Sequence, residues 1–219
     1  MPSAPVTFTT RALLLDMDGT LVDSHAVVER CWTRWAVAHD LDPAAVLSVV
    51  HGRQGHATMA ALLPGRPMAE NYAENAVLLA EETADLDGVV PIPGAPAFLA
   101  ALAGCPHALV TSASEGLARA RMGAAGLAMP PVRVTAERVG ASKPDPEGFL
   151  KGAAELGFGP ADCLVFEDAE VGIAAARAAG MPVVGVGARA AAFAPDALAG
   201  SLEAVTVSAA GGLLTVTVG

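Results

Sequence analysis

Hydrophobic positions along the chain fall into two textures. Short, nearly unbroken apolar runs of strand length lie at 12–15, 107–111, 132–135, 163–166 and 182–186. Between the later runs, apolar residues return every three or four positions, the period of one helix face, over 95–103, 112–126, 146–156 and 169–179. Asp145-Pro146 supplies a cap and a first-turn proline, and Gly104, Gly157 and Gly180 supply stops. Strands buried on both faces read as continuous apolar runs. Their alternation with helices predicts an α/β fold, a doubly wound parallel sheet of the Rossmann-like kind.

One region departs from this rhythm. Val27, Val28, Cys31, Trp32 and Trp35 recur at helical spacing, with Asp23 or Ser24 as a cap. Asp42-Pro43 opens a second helix running to about 50, and further helical patterns cover 54–63 and 69–83. An all-helical stretch placed directly after the first strand predicts a separate cap domain over 24–87. The core domain is then 1–23 and 88–219, with 89–94 as the return linker. Trp32 and Trp35 fit the core of that cap better than a ligand platform. Near the end, 204–207 and 213–216 flank Gly211-Gly212 and predict a closing β-hairpin.

Composition narrows the classes. The 219 residues are 53% hydrophobic, enough to bury a core, yet no apolar run reaches the ~20 residues of a membrane span. The first residues lack the basic-then-apolar order of a signal peptide. Cys31, Cys105 and Cys163 are odd in number and far apart, which fits free thiols in a reducing cytoplasm. The net charge of −10 argues against nucleic acid as a partner. An anionic substrate would need a few well-placed local cations. Nothing in the pattern requires an oligomer beyond a monomer or weak homodimer.

Candidate chemistry begins at the end of the first apolar run, with Asp16-Met17-Asp18-Gly19-Thr20. Two residues apart on an extended strand point the same way. Two carboxylates ~4 Å apart at an effective dielectric of ~20 repel by about 4 kcal/mol. A hard cation, Mg²⁺ above all, would relieve that, whereas a solvated turn would simply tolerate it. The later strands end in Thr111-Ser112 and Glu167-Asp168, and Lys143 lies in the loop before Pro146. Ligands of doubly wound sheets bind at the carboxyl ends of the strands. These residues are therefore expected to converge in one crevice.

The ordered set Asp16-Met17-Asp18-Gly19-Thr20, Val110-Thr111-Ser112, Lys143-Pro144-Asp145-Pro146 and Phe166-Glu167-Asp168-Ala169 resembles the four motifs of the haloacid dehalogenase-like hydrolases, in the branch with a helical cap. The resemblance covers nearly the whole chain. It implies Asp16 as nucleophile, forming an aspartyl-phosphate, and Asp18 as the acid and base that serves the leaving oxygen and the water. It implies Mg²⁺ held by Asp16, the Asp18 backbone carbonyl and Asp168, with Glu167 as ligand or just behind. Thr111 and the amides of Ser112 and Ala113, at a helix start, would hold the phosphoryl oxygens, and Lys143 would neutralise both phosphate and Asp16. Asp18 sets the chain apart from the dehalogenases, which lack a carboxylate there.

Within that branch the chain is similar to bacterial sugar-phosphatases acting on hexose and hexitol phosphates, and to the yeast 2-deoxyglucose-6-phosphatase and glycerol phosphatases. The expected substrate is a small phosphorylated sugar or polyol. Its leaving group would meet the cap linker His51-Gly52-Arg53-Gln54-Gly55-His56, with His51, Arg53 and Gln54 as contacts, or that linker is a plain helix–helix turn. A β-phosphoglucomutase is the alternative. Those mutases carry a histidine ten residues after the second aspartate, where this chain has Val28. A non-catalytic phosphosugar-binding protein would have lost Asp16 or Lys143. His25 is expected to cap or face solvent, His39 and His107 to lie at the surface or a strand edge. Glu115, Arg119 and Arg121 are expected on a solvated helix face.

Overall fold

The computed structural model describes residues 4–219; Met1, Pro2 and Ser3 lie outside them. A six-stranded parallel sheet forms the centre. In chain order its strands are β2 (Ala12–Leu15), β5 (His107–Val110), β6 (Val132–Val134), β7 (Cys163–Glu167), β8 (Val183–Val186) and β9 (Ala197–Ala199). Their spatial order is β6-β5-β2-β7-β8-β9, so β2 lies between β5 and β7. All four residues of β2 are fully buried. Leu13 and Leu15 face one core with Leu109, Leu164 and Phe166; Ala12 and Leu14 face another with Val110, Val165 and Phe149. This two-sided burial is what the unbroken apolar run encodes.

Core helices α5 (Ala95–Ala101), α6 (Glu115–Ala124), α7 (Glu147–Leu156) and α8 (Glu170–Ala178) cover the sheet. The helix after Thr111 starts at Glu115, not at Ser112. Ser114 is its N-cap and accepts from the Leu117 amide, because an earlier start would leave the first-turn amides without that oxygen. Ser112 and Ala113 are therefore loop residues. The α7 helix ends at Gly157 in the left-handed conformation.

Between Val22–Asp23 (β3) and Val90–Pro91 (β4) the chain is helical: α1 (His25–Ala38), α2 (Pro43–Leu47), α3 (Gly55–Leu62) and α4 (Met68–Ala84). The expected return linker instead pairs, β4 running antiparallel to β3, so both crossings to the helical segment share one two-stranded ribbon. Inside the segment, Glu74 accepts from Trp35 Nε1 and His39 Nε2, each at 2.9 Å, and is bridged to Arg66. Trp32 and Trp35 are buried edge-on to one another, as their spacing predicts. His39 is thus part of this network rather than a bare surface residue. No helix among the described residues is long and apolar enough to cross a membrane.

The C-terminal hairpin is longer than its pattern suggests, and it is not alone. Val205–Ala210 (β10) and Leu213–Val218 (β11) pair antiparallel, and the unforeseen Val6–Thr10 (β1) adds to the free edge of β11. Alternate positions Leu214, Val216 and Val218 are buried in the main core. This small sheet thus closes one flank of the barrel-less core instead of fraying. Val216→Ala is expected to lower the unfolding free energy by about 2 kcal/mol, read from urea denaturation. A change below about 0.5 kcal/mol would show the small sheet to be an independent appendage.

Candidate active site

Because β2 sits between β5 and β7, residues just past those three strands meet at one point. Asp16 follows β2, Thr111 follows β5 and Asp168 follows β7. Carboxylate oxygens of Asp16, Glu167 and Asp168 lie within 4.8 Å of one another, all three residues buried. Lys143 Nζ donates to Asp16 Oδ1 and Glu167 Oε1, both at 2.7 Å, and to the Val110 carbonyl at 3.2 Å. All three ammonium hydrogens are thereby used. The second Glu167 oxygen accepts from the Ala169 amide at 2.7 Å.

Burial raises the Asp16 carboxyl well above its usual range, with Glu167 and Asp168 adding to the effect against Lys143. Asp168 is pushed up to about 7, again by burial first, then by Glu167 and against Arg189. Burial alone would lower the Lys143 ammonium, but Asp16 and Glu167 overcome it and raise it. Three buried carboxylates face two cations, Lys143 and Arg189, which leaves one negative charge to place. Gly19 makes room beside them: at φ +85°, a Cβ there would stand 2.1 Å from Asp168 Oδ2. The donor set, all oxygens and short of positive charge, fits a hard divalent cation such as Mg²⁺.

Asp18 points elsewhere. Its Oδ1 accepts from Ser24 Oγ at 2.6 Å and its Oδ2 from Arg121 at 2.9 Å. The loop that turns it so is tight, with Leu21 and Val22 amides both bonded to the Met17 carbonyl. Asp18 nonetheless lines the same cavity as Asp16, together with Thr111, Ser112, Ala113, His51 and Arg53. Thr111 Oγ1 accepts from the Ala113 amide at 3.1 Å.

Among the linker residues, the structure separates the expected contacts. His51 and Arg53 line the cavity, and Arg53 has no ion pair among the described residues. Gln54 does not line it: its backbone amide donates to Ser142 Oγ at 3.0 Å and its Nε2 to the Ala136 carbonyl at 3.3 Å. Gln54 is spent on joining the helical segment to the core. Nearby, Ser112 Oγ donates to the Gly52 carbonyl at 2.8 Å. Gly52, at φ +79°, packs so closely that a Cβ would stand 2.8 Å from the Ala169 Cβ.

Two expectations from the sequence fail here, and one functional residue is missed. Arg121 is 3% exposed, not solvated, and bridges Asp18 to Glu82 of α4 at 2.9 and 2.8 Å. Helical spacing from Leu117 and Ala118, both buried, was the available signal, since Arg121 shares their face. His25 neither caps α1 nor faces open solvent: Nδ1 meets Asp23 Oδ1 at 2.8 Å and Nε2 meets Arg189 at 2.6 Å, and the ring borders the cavity. Arg189, from the 3-10 segment Ala188–Phe193, reaches Asp168 Oδ2 at 2.9 Å. No local pattern marks Arg189, because only the tertiary fold brings it to the site.

A family model described as haloacid dehalogenase-like hydrolase matches residues 10–180. Hexitol phosphatase A of Escherichia coli is 44% identical over 180 residues, covering 81% of this chain and 83% of its own. Fructose-1-phosphate phosphatase YqaB of the same organism is 31% identical, over 80% of this chain and 95% of its own. In shape, the chain matches a β-phosphoglucomutase from Clostridium difficile with a TM-score of 0.77 at 21% identity, covering 89% and 92% of the two chains.

His51 carries a pH signature. Burial, then Arg189 and His25, push it from 6.5 down to about 4, against the pull of Asp18. Between those values the unfolded chain binds a proton that folded His51 refuses, so acidification through that window costs stability. From pH 7 to 4.5 the wild type is expected to lose about 1–2 kcal/mol more than His51→Gln in urea denaturation. Equal losses would show that His51 is already charged when folded.

Proposed function

Because this chain belongs to the haloacid dehalogenase-like hydrolase family and is a phosphoric monoester hydrolase, we propose that its substrates are small sugar or polyol monophosphates, cleaved through an aspartyl-phosphate on Asp16. The observation that carries this reading is the split between the two aspartates. Asp16 lies in the carboxylate cluster against Lys143, while Asp18 lies outside it, on the side of the helical segment.

The chemistry follows from that split. An Asp16 oxygen attacks phosphorus, the bond to the ester oxygen breaks, and Asp18 gives that oxygen its proton. Water then attacks the phosphorus of the aspartyl-phosphate; Asp18 takes its proton, and Asp16 and inorganic phosphate are released. Lys143 holds Asp16 in place and offsets the repulsion between a carboxylate and a phosphate dianion. The Thr111 hydroxyl and the loop amide of Ser112 offer donors to the phosphoryl oxygens, whereas the Ala113 amide is engaged by Thr111 Oγ1. A bound Mg²⁺ would supply charge neutralisation at the phosphoryl group, held by Asp16 and Asp168. Both oxygens of Glu167 are engaged by Lys143 and the Ala169 amide, so its role is to fix Lys143 rather than to ligate.

The helical segment, 24–87, would act as a cap that closes over the leaving group. Support comes from the direct bonds of Gly52 and Gln54 to the core, and from Arg53, which lines the cavity and has no ion pair among the described residues. Val28 borders the cavity, where the mutases of this fold would carry histidine, and offers no proton. The relatives named for hexitol, fructose 1-phosphate and glycerol 1-phosphate point to the same substrate class.

Phosphate release from sugar, polyol and nucleotide monophosphates tests this directly. Release is expected from sugar and polyol phosphates, lost with a chelator and restored by Mg²⁺. Asp16→Asn is expected to cut it by about a thousandfold or more. Activity that survives either treatment would sink the mechanism. Conversion of glucose 1-phosphate to glucose 6-phosphate without phosphate release would make the chain a mutase.

A further inference from the structure

The cavity beyond Asp18 has a wall with polar groups to which the phosphoryl-transfer mechanism assigns no direct step. Helix α4 turns Asn75, Leu78, Leu79 and Glu82 towards it, and α6 contributes Leu117 and Arg121. Glu82 and Arg121 are buried, and their ion pair spans the boundary between the helical segment and the core. A buried ion pair of this kind adds little net stability compared with apolar residues of similar size. Two atoms in the same wall lack hydrogen-bond partners among the described residues, Arg121 Nε and Asn75 Oδ1. One is a donor and the other an acceptor, and a buried polar atom left unpaired is costly.

We propose that Asn75, Glu82 and Arg121 form the subsite that recognises the hydroxyl groups of the leaving group. This deepens the sugar or polyol phosphatase reading and rests on it. A hydroxyl is donor and acceptor at once, so it complements this wall: it accepts from Arg121 Nε and donates to Asn75 Oδ1 or a Glu82 oxygen. An alkyl chain of the same length satisfies neither. A second anion is also disfavoured, since the Arg121 charge is already balanced by Asp18 and Glu82. The subsite thus selects neutral, hydroxyl-rich leaving groups over apolar or carboxylated ones. Rejection follows from unpaired site atoms, a stronger discriminator than lost apolar contact. Arg121 also holds Asp18 and Glu82 pairs with Arg121, so Asn75 is the position that reports on the subsite alone, and a change at Glu82 is read only through the ratio of two substrates.

The test compares kcat/KM for sorbitol 6-phosphate and n-hexyl phosphate in the wild type, Asn75→Leu and Glu82→Gln. Both substrates are read on one sample, so the ratio does not depend on how much of a variant is folded. The wild type is expected to favour the polyol phosphate, and each variant to lower that preference by at least about tenfold. If Asn75→Leu yields no folded protein, the near-isosteric Glu82→Gln carries the comparison. Ratios within twofold of the wild type would overturn the subsite while leaving the phosphatase reading standing. A wild type that cleaves no sugar or polyol phosphate would overturn that reading, and the subsite with it.

Discussion

The ammonium of Lys143 is the interaction on which the site depends. It arrives from a loop more than a hundred residues beyond Asp16, and donates to Asp16, to Glu167 and to the Val110 carbonyl. Removing it would leave two buried carboxylates uncompensated beside a third. The rest of the local structure serves that contact. The spatial order of the strands puts β5 and β7 on either side of β2, so the Val110 carbonyl, Asp16 and Glu167 surround one point. Gly172 lets Glu167 lie flat there, since a Cβ would stand 1.7 Å from Glu167 Oε1. Gly19 does the same for Asp168 from the other side.

A second constraint acts across the boundary with the helical segment. The bonds from Ser112 to Gly52 and from Gln54 to Ser142 and Ala136 pin one side of that segment to the phosphate-facing loops. On the other side the Arg121–Glu82 pair joins α6 to α4. The ribbon of β3 and β4 carries both chain crossings between them. The cavity is lined by residues of the first two contacts, Ser112 and Gly52 on one side and Glu82 and Arg121 on the other, so its shape depends on how the helical segment sits. On the proposed cap role, leaving-group recognition would depend on the same contacts that exclude water from the phosphoryl centre.

What the sequence shows of this follows from how local each signal is. The buried strands are legible because burial on both faces leaves an unbroken apolar run, as in Leu13-Leu14-Leu15. The convergence of Asp16, Thr111, Lys143 and Glu167-Asp168 is legible because each sits at a strand end or a loop before a helix. The Gln54 side chain misleads, because a polar linker residue reads alike whether it faces a ligand or bonds the opposite backbone. β1 escapes notice although Val6-Thr7-Phe8-Thr9 alternates, because the segment is short and its pairing with β11 comes from more than two hundred residues away. Arg121 and Arg189 are hidden for a related reason. A charged residue on a helix or short turn is ordinarily solvated, and only tertiary partners, here Glu82 and Asp168, make it otherwise.

Those hidden arginines also resolve the charge problem that composition poses. A chain with a net charge of −10 repels a phosphate at long range. At contact range cations are gathered around the cavity, but carboxylates are gathered with them. Lys143, Arg189 and Arg121 are each bound to carboxylates, so they organise the site rather than present free charge. Arg53 lines the cavity with no ion pair among the described residues, and His51 is held neutral. One free guanidinium and a carboxylate cluster short of one positive charge leave a divalent cation as the remaining source of attraction for the phosphate. On the proposed mechanism anion binding would be coupled to metal binding, since each would balance the other's charge.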